Sequence, residues 1–233
     1  MATPIRCISG QIVILNGAPR SGKSSIAKAM QERGPGAWVN LGVDASMSQL
    51  PETLRPGVGL RPGGERPDLE EVVVALYEAL WESIAAYARR GVDVVVDVGL
   101  HESFSKPRAI RSDAARRLAG MAILFVGVRC PIDVIWERRA RWWGQSESEG
   151  LLREAVQRWQ VEVHAGLVYD LELDTAVLTS DECADVVLKR IARGPAGNAF
   201  TRLLLTRERA PCELQDDPGP AMSSSVVSDQ ERR

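Results

Sequence analysis

The sequence predicts an α/β domain built on a parallel, doubly wound sheet with helices on both faces. Two observations carry that prediction. Apolar runs of strand length alternate five times with segments of helical periodicity. The first apolar run, Ile12–Leu15, also passes directly into G-x-x-x-x-G-K-S at Gly17–Ser24. That spacing is the strand–loop–helix signature of a Walker A phosphate-binding loop. A sheet of this kind presents its ligand site beyond the carboxyl ends of its strands.

Taken in order, the chain opens with a short leader over 1–10. Ile12–Leu15 is strand one and Lys23–Arg33 is helix one, stopped by Gly34-Pro35-Gly36. Ala37–Leu41 reads as strand two, followed by a short helix with Asp44 or Ser46 near its start. Residues 51–67 are rich in Pro, Gly and Arg and read as a long loop, of a length that usually serves function. The longest helix follows, with Asp68 and Glu71 as its expected capping pair and an apolar stripe of Leu69, Val72, Val73, Leu76, Leu80, Ile84 and Tyr87. Arg89, Arg90 and Gly91 close it. Val92–Asp97 is a strand that ends in a carboxylate, 106–118 a helix, and Ala122–Val128 a strand buried on both faces. Pro131 opens a helix that carries Arg138, Arg139 and Arg141. Residues 144–150 are a polar hinge, Leu151–His164 a helix, and Val168–Leu173 the last strand. Thr179 and Glu182 form a capping box for a final helix to about Arg193. The expected division is one nucleotide-binding domain over 1–193, with a lid at about 138–150, and a polar tail over 194–233 broken only by the apolar run Phe200–Leu205.

Composition narrows the classes. A chain of 233 residues with 45% hydrophobic and 26% charged residues is long enough for one such domain. A net charge of −2 does not suit a large nucleic-acid footprint. Four scattered cysteines and two histidines make no zinc pattern and fit reduced thiols. No apolar run reaches membrane-spanning length, and no secretory h-region is visible. The expected setting is the cytoplasm, without nucleic-acid or membrane partners.

The loop residues Gly17, Ala18, Pro19, Arg20, Ser21, Gly22, Lys23, Ser24 and Ser25 are the candidate nucleotide cradle. Their backbone N–H groups converge on the phosphates, aided by the positive end of helix one. Lys23 reaches the β- and γ-phosphates, and the Ser24 hydroxyl is a ligand for Mg²⁺. Asp97, at the end of an apolar strand in the same sheet, is the expected second Mg²⁺ ligand, against the plainer reading of a carboxylate capping a turn. Asp44 has two readings side by side. It is a helix N-cap, or it is the carboxylate that accepts the hydroxyl proton of an acceptor. Arg138 and Arg141 either belong to a solvated helix face or close over the transferring phosphoryl group. His101 and His164 lack nucleophilic partners and read as structural. The nucleotide is ATP or GTP, since no base-reading motif is present.

Several stretches together resemble one family. N-G-x-x-x-S-G-K-S at Asn16–Ser24, G-V-D at Gly42–Asp44, V-V-V-D at Val94–Asp97, V-G-V-R-C at Val126–Cys130 and V-H-x-G-x-x-Y-D-x-E-x-D-T at Val163–Thr175 resemble chloramphenicol phosphotransferase and its relatives. The likeness covers about residues 12–190. It implies a P-loop kinase-like three-layer fold with a five-stranded sheet, and transfer of the ATP γ-phosphate to a hydroxyl of a small molecule with Mg²⁺. The family's proton-accepting aspartate matches Asp44, and its lid arginines match Arg138 and Arg141. The sequence departs from the family pattern after Asp97, where Val98 replaces a second acid, and in the arginine-rich 51–67 stretch. Two other functions share the visible parts: a zeta-toxin-like kinase of nucleotide sugars, and a nucleotide-binding switch that engages a partner protein. The oligomeric state is not read from the sequence.

Overall fold

The computed structural model describes residues 9–55, 66–143, 149–194 and 197–208, with the side chains of 139–143, 149–153, 155 and 205–208 outside the description. Five strands alternate with helices as expected: β1 (Ile12–Asn16), α1 (Lys23–Arg33), β2 (Trp38–Gly42), α2 (Val43–Ser48), α3 (Glu70–Arg89), β3 (Asp93–Val98), α4 (Ile110–Arg117), β4 (Ile123–Arg129), α5 (Ile132–Trp143), α6 (Glu149–Glu162), β5 (Leu171–Asp174) and α7 (Ser180–Ala192). The strands form one sheet in the order β2-β3-β1-β4-β5, and every pairing is parallel.

Strand pleating divides the core into two layers, because successive side chains point to opposite faces. Ile12, Ile14, Val94, Val96, Ile123 and Phe125 point to the face covered by α2, α3 and α4. Val13, Leu15, Val95, Leu124 and Val126 point to the other face, covered by α1 and α7. All five residues of β1 are buried, as a central parallel strand requires. A third, smaller cluster joins α5 and α6 to the loop after β1, through Ala18, Cys130, Ile135, Val156 and Val163.

Two local expectations are corrected. Asp68 does not cap α3: it accepts two hydrogen bonds from the Arg66 guanidinium at 2.9 and 2.7 Å, and Glu71 pairs with Arg108 at 2.7 Å. The start of α3 is instead preceded by a 3₁₀ turn, Pro67–Leu69, with no side-chain cap. Tyr87 is 41% exposed rather than part of the buried stripe, which runs through Val73, Tyr77, Leu80, Trp81, Ile84 and Ala88. The capping box at Thr179 and Glu182 is present in both its hydrogen bonds.

The packed chain also continues beyond the expected boundary at 193. Asp170 accepts the backbone N–H groups of Asn198 and Ala199 through Oδ1 and that of Phe125 through Oδ2. This anchor delivers Phe200, 1% exposed, into the core beside Trp81 and edge-on to Phe125 at 5.1 Å between ring centroids. The segment Thr201–Glu208 is a 3₁₀ helix laid against α4. The rest of the expected tail, 209–233, lies outside the described residues, as does the hinge at 144–148. Among the described residues no helix is long and apolar enough to cross a membrane.

Phe200→Ala empties a site walled by aromatic rings. It is expected to lower the free energy of unfolding in urea by about 3–5 kcal/mol. An unchanged midpoint would show that the segment after 197 is not part of the cooperative core.

Candidate active site

The site begins with the sharp exit of β1. The Gly17 N–H donates to the Val98 carbonyl at 3.2 Å, and any side chain at Gly17 would project to within 2.5 Å of the Val128 carbonyl oxygen. The loop then folds back through two residues of positive φ, Arg20 at 67° and Gly22 at 101°. Gly22 adopts the left-handed conformation freely, whereas Arg20 does so at a cost of about 1–2 kcal/mol. α1 starts at Lys23 directly after this turn, so its unpaired N–H groups face the cleft.

Lys23 is 8% exposed, and its ammonium is held from two sides. Nζ donates to the Ala18 carbonyl at 2.9 Å and lies 3.5 Å from Asp97 Oδ1. Ser24 donates to the other oxygen of the same carboxylate, Oδ2, at 2.5 Å. Strand parity explains the meeting. Asp97 lies two residues after Val95 and therefore points to the α1 face of the sheet, where Lys23 and Ser24 sit.

Register brings in the second carboxylate. Gly42, the last residue of β2, pairs with Asp97 in β3. Two residues further, Asp44 lies in the first turn of α2 and lines the same cavity, of about 850 Å³, as Lys23, Ser24 and Asp97. The helix-cap reading of Asp44 does not hold, because the cap position is Gly42 and no side chain caps α2. Asp44 is solvent-exposed on its surface, yet the walls around it remove enough water to push its carboxyl above the usual range. The charge of Asp97 adds to that rise and the charge of Lys23 opposes it. The Tyr77 phenol on α3 is pushed up by burial and then by the charges of Asp44 and Asp97.

The opposite wall comes from α5 and from the loop after β5. Arg138 lines the cavity and is clamped in place. Its Nη2 donates to the Thr175 carbonyl at 2.7 Å, and its Nη1 to Thr175 Oγ1 at 3.1 Å, with the Arg20 carbonyl and Cys130 Sγ at 3.3 and 3.4 Å. Thr175 to Ser180 complete the rim.

The structure thus gathers Pro19, Arg20, Gly22, Lys23, Ser24, Ser25, Asp44, Asp97 and Arg138 around one cavity. Gly17, Ala18 and Ser21 are buried beneath it as the body of the loop. Arg141 belongs to α5, but its side chain lies outside the described residues. Sequence reasoning missed the rim from Thr175 to Ser180. Its signal was positional: it follows the last parallel strand, at the sheet edge where ligands gather.

Under the loop, Asn16 is fully buried and fully used. Its Nδ2 donates to the Val163 carbonyl at 2.7 Å and the Tyr169 hydroxyl at 2.8 Å, and its Oδ1 accepts the Leu100 N–H at 2.7 Å. His164 Nδ1 and the Tyr169 hydroxyl are 2.7 Å apart. Burial, and then the charge of Arg129, push the His164 imidazole down to about 4.

An unfolded histidine binds a proton near pH 6.5, whereas folded His164 does so only near 4. Stability is therefore lost as pH falls through that window. Between pH 7 and pH 5 the loss from this residue is about 2 kcal/mol. His164→Asn, which keeps a hydrogen-bonding group and does not titrate, should lose that much less over the same interval in urea titrations. Equal losses in both proteins would remove His164 as the source.

With this geometry in place, comparison with known proteins gives a consistent result. The sequence model of one family, described as chloramphenicol phosphotransferase-like protein, matches residues 10–192. A protein of Mycobacterium tuberculosis strain H37Rv, whose assignment as an O-phosphotransferase is itself provisional, is 27% identical over 217 residues, covering 83% of this chain and 88% of its own. Among solved structures, a sugar kinase from Janibacter sp. HTCC2649 aligns with a TM-score of 0.55 at 19% identity, over 78% of this chain and 95% of its own. A gluconokinase from Sinorhizobium meliloti 1021 aligns at 0.51 and 22%, over 80% and 93%. These structural likenesses establish the P-loop kinase fold, and the family match supports a phosphotransferase of the kinase kind.

Proposed function

This chain belongs to the chloramphenicol phosphotransferase-like family, and from that premise we propose that it transfers the γ-phosphate of ATP to a hydroxyl of a small molecule. The observation that carries the reading is the convergence of Lys23, Ser24, Asp97, Asp44 and Arg138 on one cavity at the carboxyl end of the sheet. Phosphoryl transfer asks for positioning and charge neutralisation, with little covalent chemistry from the protein.

The loop amides and the start of α1 hold the phosphates, and Lys23 faces the transferring group. Ser24 and Asp97 offer adjacent hard oxygens, the donor type that Mg²⁺ prefers, and a bound Mg²⁺ would neutralise phosphate charge there. Among the described residues no cluster of three or more acidic, His or Cys side chains is available to cage a metal. That fits an ion that draws its other ligands from phosphate and water.

Asp44 lines the same cavity as the loop, in the first turn of the helix after β2. Its proton affinity, raised by burial and by the charge of Asp97, makes it a better base than an ordinary carboxylate. It accepts the proton of the acceptor hydroxyl as that oxygen attacks phosphorus. Arg138 supplies positive charge to the equatorial oxygens. The acceptor is a small hydroxylated molecule, and the donor base is adenine by likeness to the family.

The test is ADP release from Mg-ATP against a panel of hydroxylated small molecules that includes chloramphenicol, with Mg-GTP in parallel. Release stimulated by one acceptor is expected, and Asp44→Ala should lower it by about 10²-fold or more. Stimulated transfer that survives in Asp44→Ala would remove Asp44 as the base. In the wild type the rate should fall on the acid side through a pKa above the ordinary carboxylate value of about 3.9, because a neutral Asp44 carboxyl is too weak a base to take the hydroxyl proton.

A further inference from the structure

We propose that Thr175 is the positioning residue that locks Arg138 to the phosphate loop, so that the arginine and the loop act on the transferring phosphoryl group as one rigid unit. The inference rests on the phosphotransfer reading and extends it to a residue outside the loop and the helix that carry the chemistry.

The position of Thr175 is fixed by the sheet. It follows β5 directly, and its N–H donates to the Arg129 carbonyl at the end of β4, at 3.0 Å. The residue is 8% exposed, so its hydroxyl must find partners within the protein. A threonine hydroxyl has one proton and two lone pairs. The proton goes to the Ser21 carbonyl inside the phosphate loop, at 2.7 Å. Arg138 Nη1 donates to the same oxygen at 3.1 Å, while Nη2 donates to the Thr175 carbonyl at 2.7 Å.

The guanidinium is therefore gripped on two nitrogens by one residue, and that residue is tied in turn to the loop. A hydroxyl that donates on one side and accepts on the other strengthens both bonds, since each polarises the next. The Thr175 methyl lies 3.4 Å from the point where a side chain at Gly22 would begin, so it also packs against the tightest part of the loop. Arginine is long and flexible, and its value at a transition state depends on being held to about 0.5 Å. Nη1 also reaches the loop directly at the Arg20 carbonyl, but at 3.3 Å that bond is longer than the 3.1 Å bond to the hydroxyl. The side-chain hydroxyl is what couples the arginine to Ser21.

Thr175→Val keeps the shape and removes the hydroxyl, whereas Thr175→Ser keeps the hydroxyl. The readout is the affinity for Mg-ADP, with and without fluoroaluminate, whose planar anion stands for the phosphoryl group in flight. This measurement needs no acceptor. In the wild type, fluoroaluminate should tighten ADP binding. In Thr175→Val that gain should shrink by about tenfold, over and above any change in the affinity for ADP alone, and Thr175→Ser should restore it. In an Arg138→Ala background, Thr175→Val should cause no further loss, because the two residues act through one contact.

An undiminished gain in Thr175→Val would overturn the proposal, and so would a full tenfold loss that persists without Arg138. A purely structural role would weaken ADP binding itself and leave the fluoroaluminate gain intact, which also overturns it. If the valine variant does not fold, Thr175→Ala is read by the same criteria. A wild type that shows no gain at all would instead count against phosphoryl transfer, a result separate from any behaviour of Thr175.

Discussion

The arrangement depends first on one ammonium group held almost out of water. Lys23 sits between a loop carbonyl and the Asp97 carboxylate. Without that carboxylate the burial of the charge would be costly, and without the ammonium Asp97 and Asp44 would repel each other unopposed. Arg20 and Arg138 line the same cavity, so its three cations suit an anionic phosphate while its two carboxylates suit a divalent cation brought with it.

The sheet supplies the precision that loops alone lack. Three side chains of the candidate site are placed by adjacent strands: Lys23 through the turn after β1, Asp97 on β3 and Asp44 two residues after β2. Their mutual placement follows from hydrogen-bond register, which a one-residue slip would destroy along with the core. On the other flank, β4 and β5 place Thr175 against Arg138 by the same means. Asn16 connects the root of the phosphate loop to Val163, just past the foot of α6, so the helix pair α5–α6 is not an independent appendage.

Much of this was legible in the sequence, for identifiable reasons. Lys23 and Ser24 are read at once because the loop geometry admits few residue types. Asp97 is legible because a carboxylate that ends an apolar strand has few reasons to be there. Asp44 was ambiguous between cap and base, since both roles favour a short acidic side chain just before or in a first helical turn, and the backbone excludes the cap. Asp68 was misread because capping propensity says nothing of a nearby Arg66 that competes for the carboxylate. The stripe on α3 ended on the exposed Tyr87 and missed the buried Tyr77 and Trp81, which stack on each other with Trp81 beside Phe200. Thr175 closes the stretch that resembles the family, but its role was not legible, because its partners lie in Ser21, Arg129 and Arg138, far apart in sequence.

The strand order has a consequence for how the chain is made. β1 is the first strand in sequence and the central one in space, flanked by β3 and β4. During synthesis from the N-terminus its apolar run, Ile12–Leu15, emerges long before either neighbour exists. Until β3 arrives, both of its edges are unpaired and both of its faces uncovered, the state most prone to wrong strand pairing between nascent chains. The centrality that makes β1 the mount for the phosphate loop therefore also makes it the segment that most needs shielding at the ribosome. Conditions that slow elongation between α1 and β3 should lower the yield of folded protein without altering the protein that does fold.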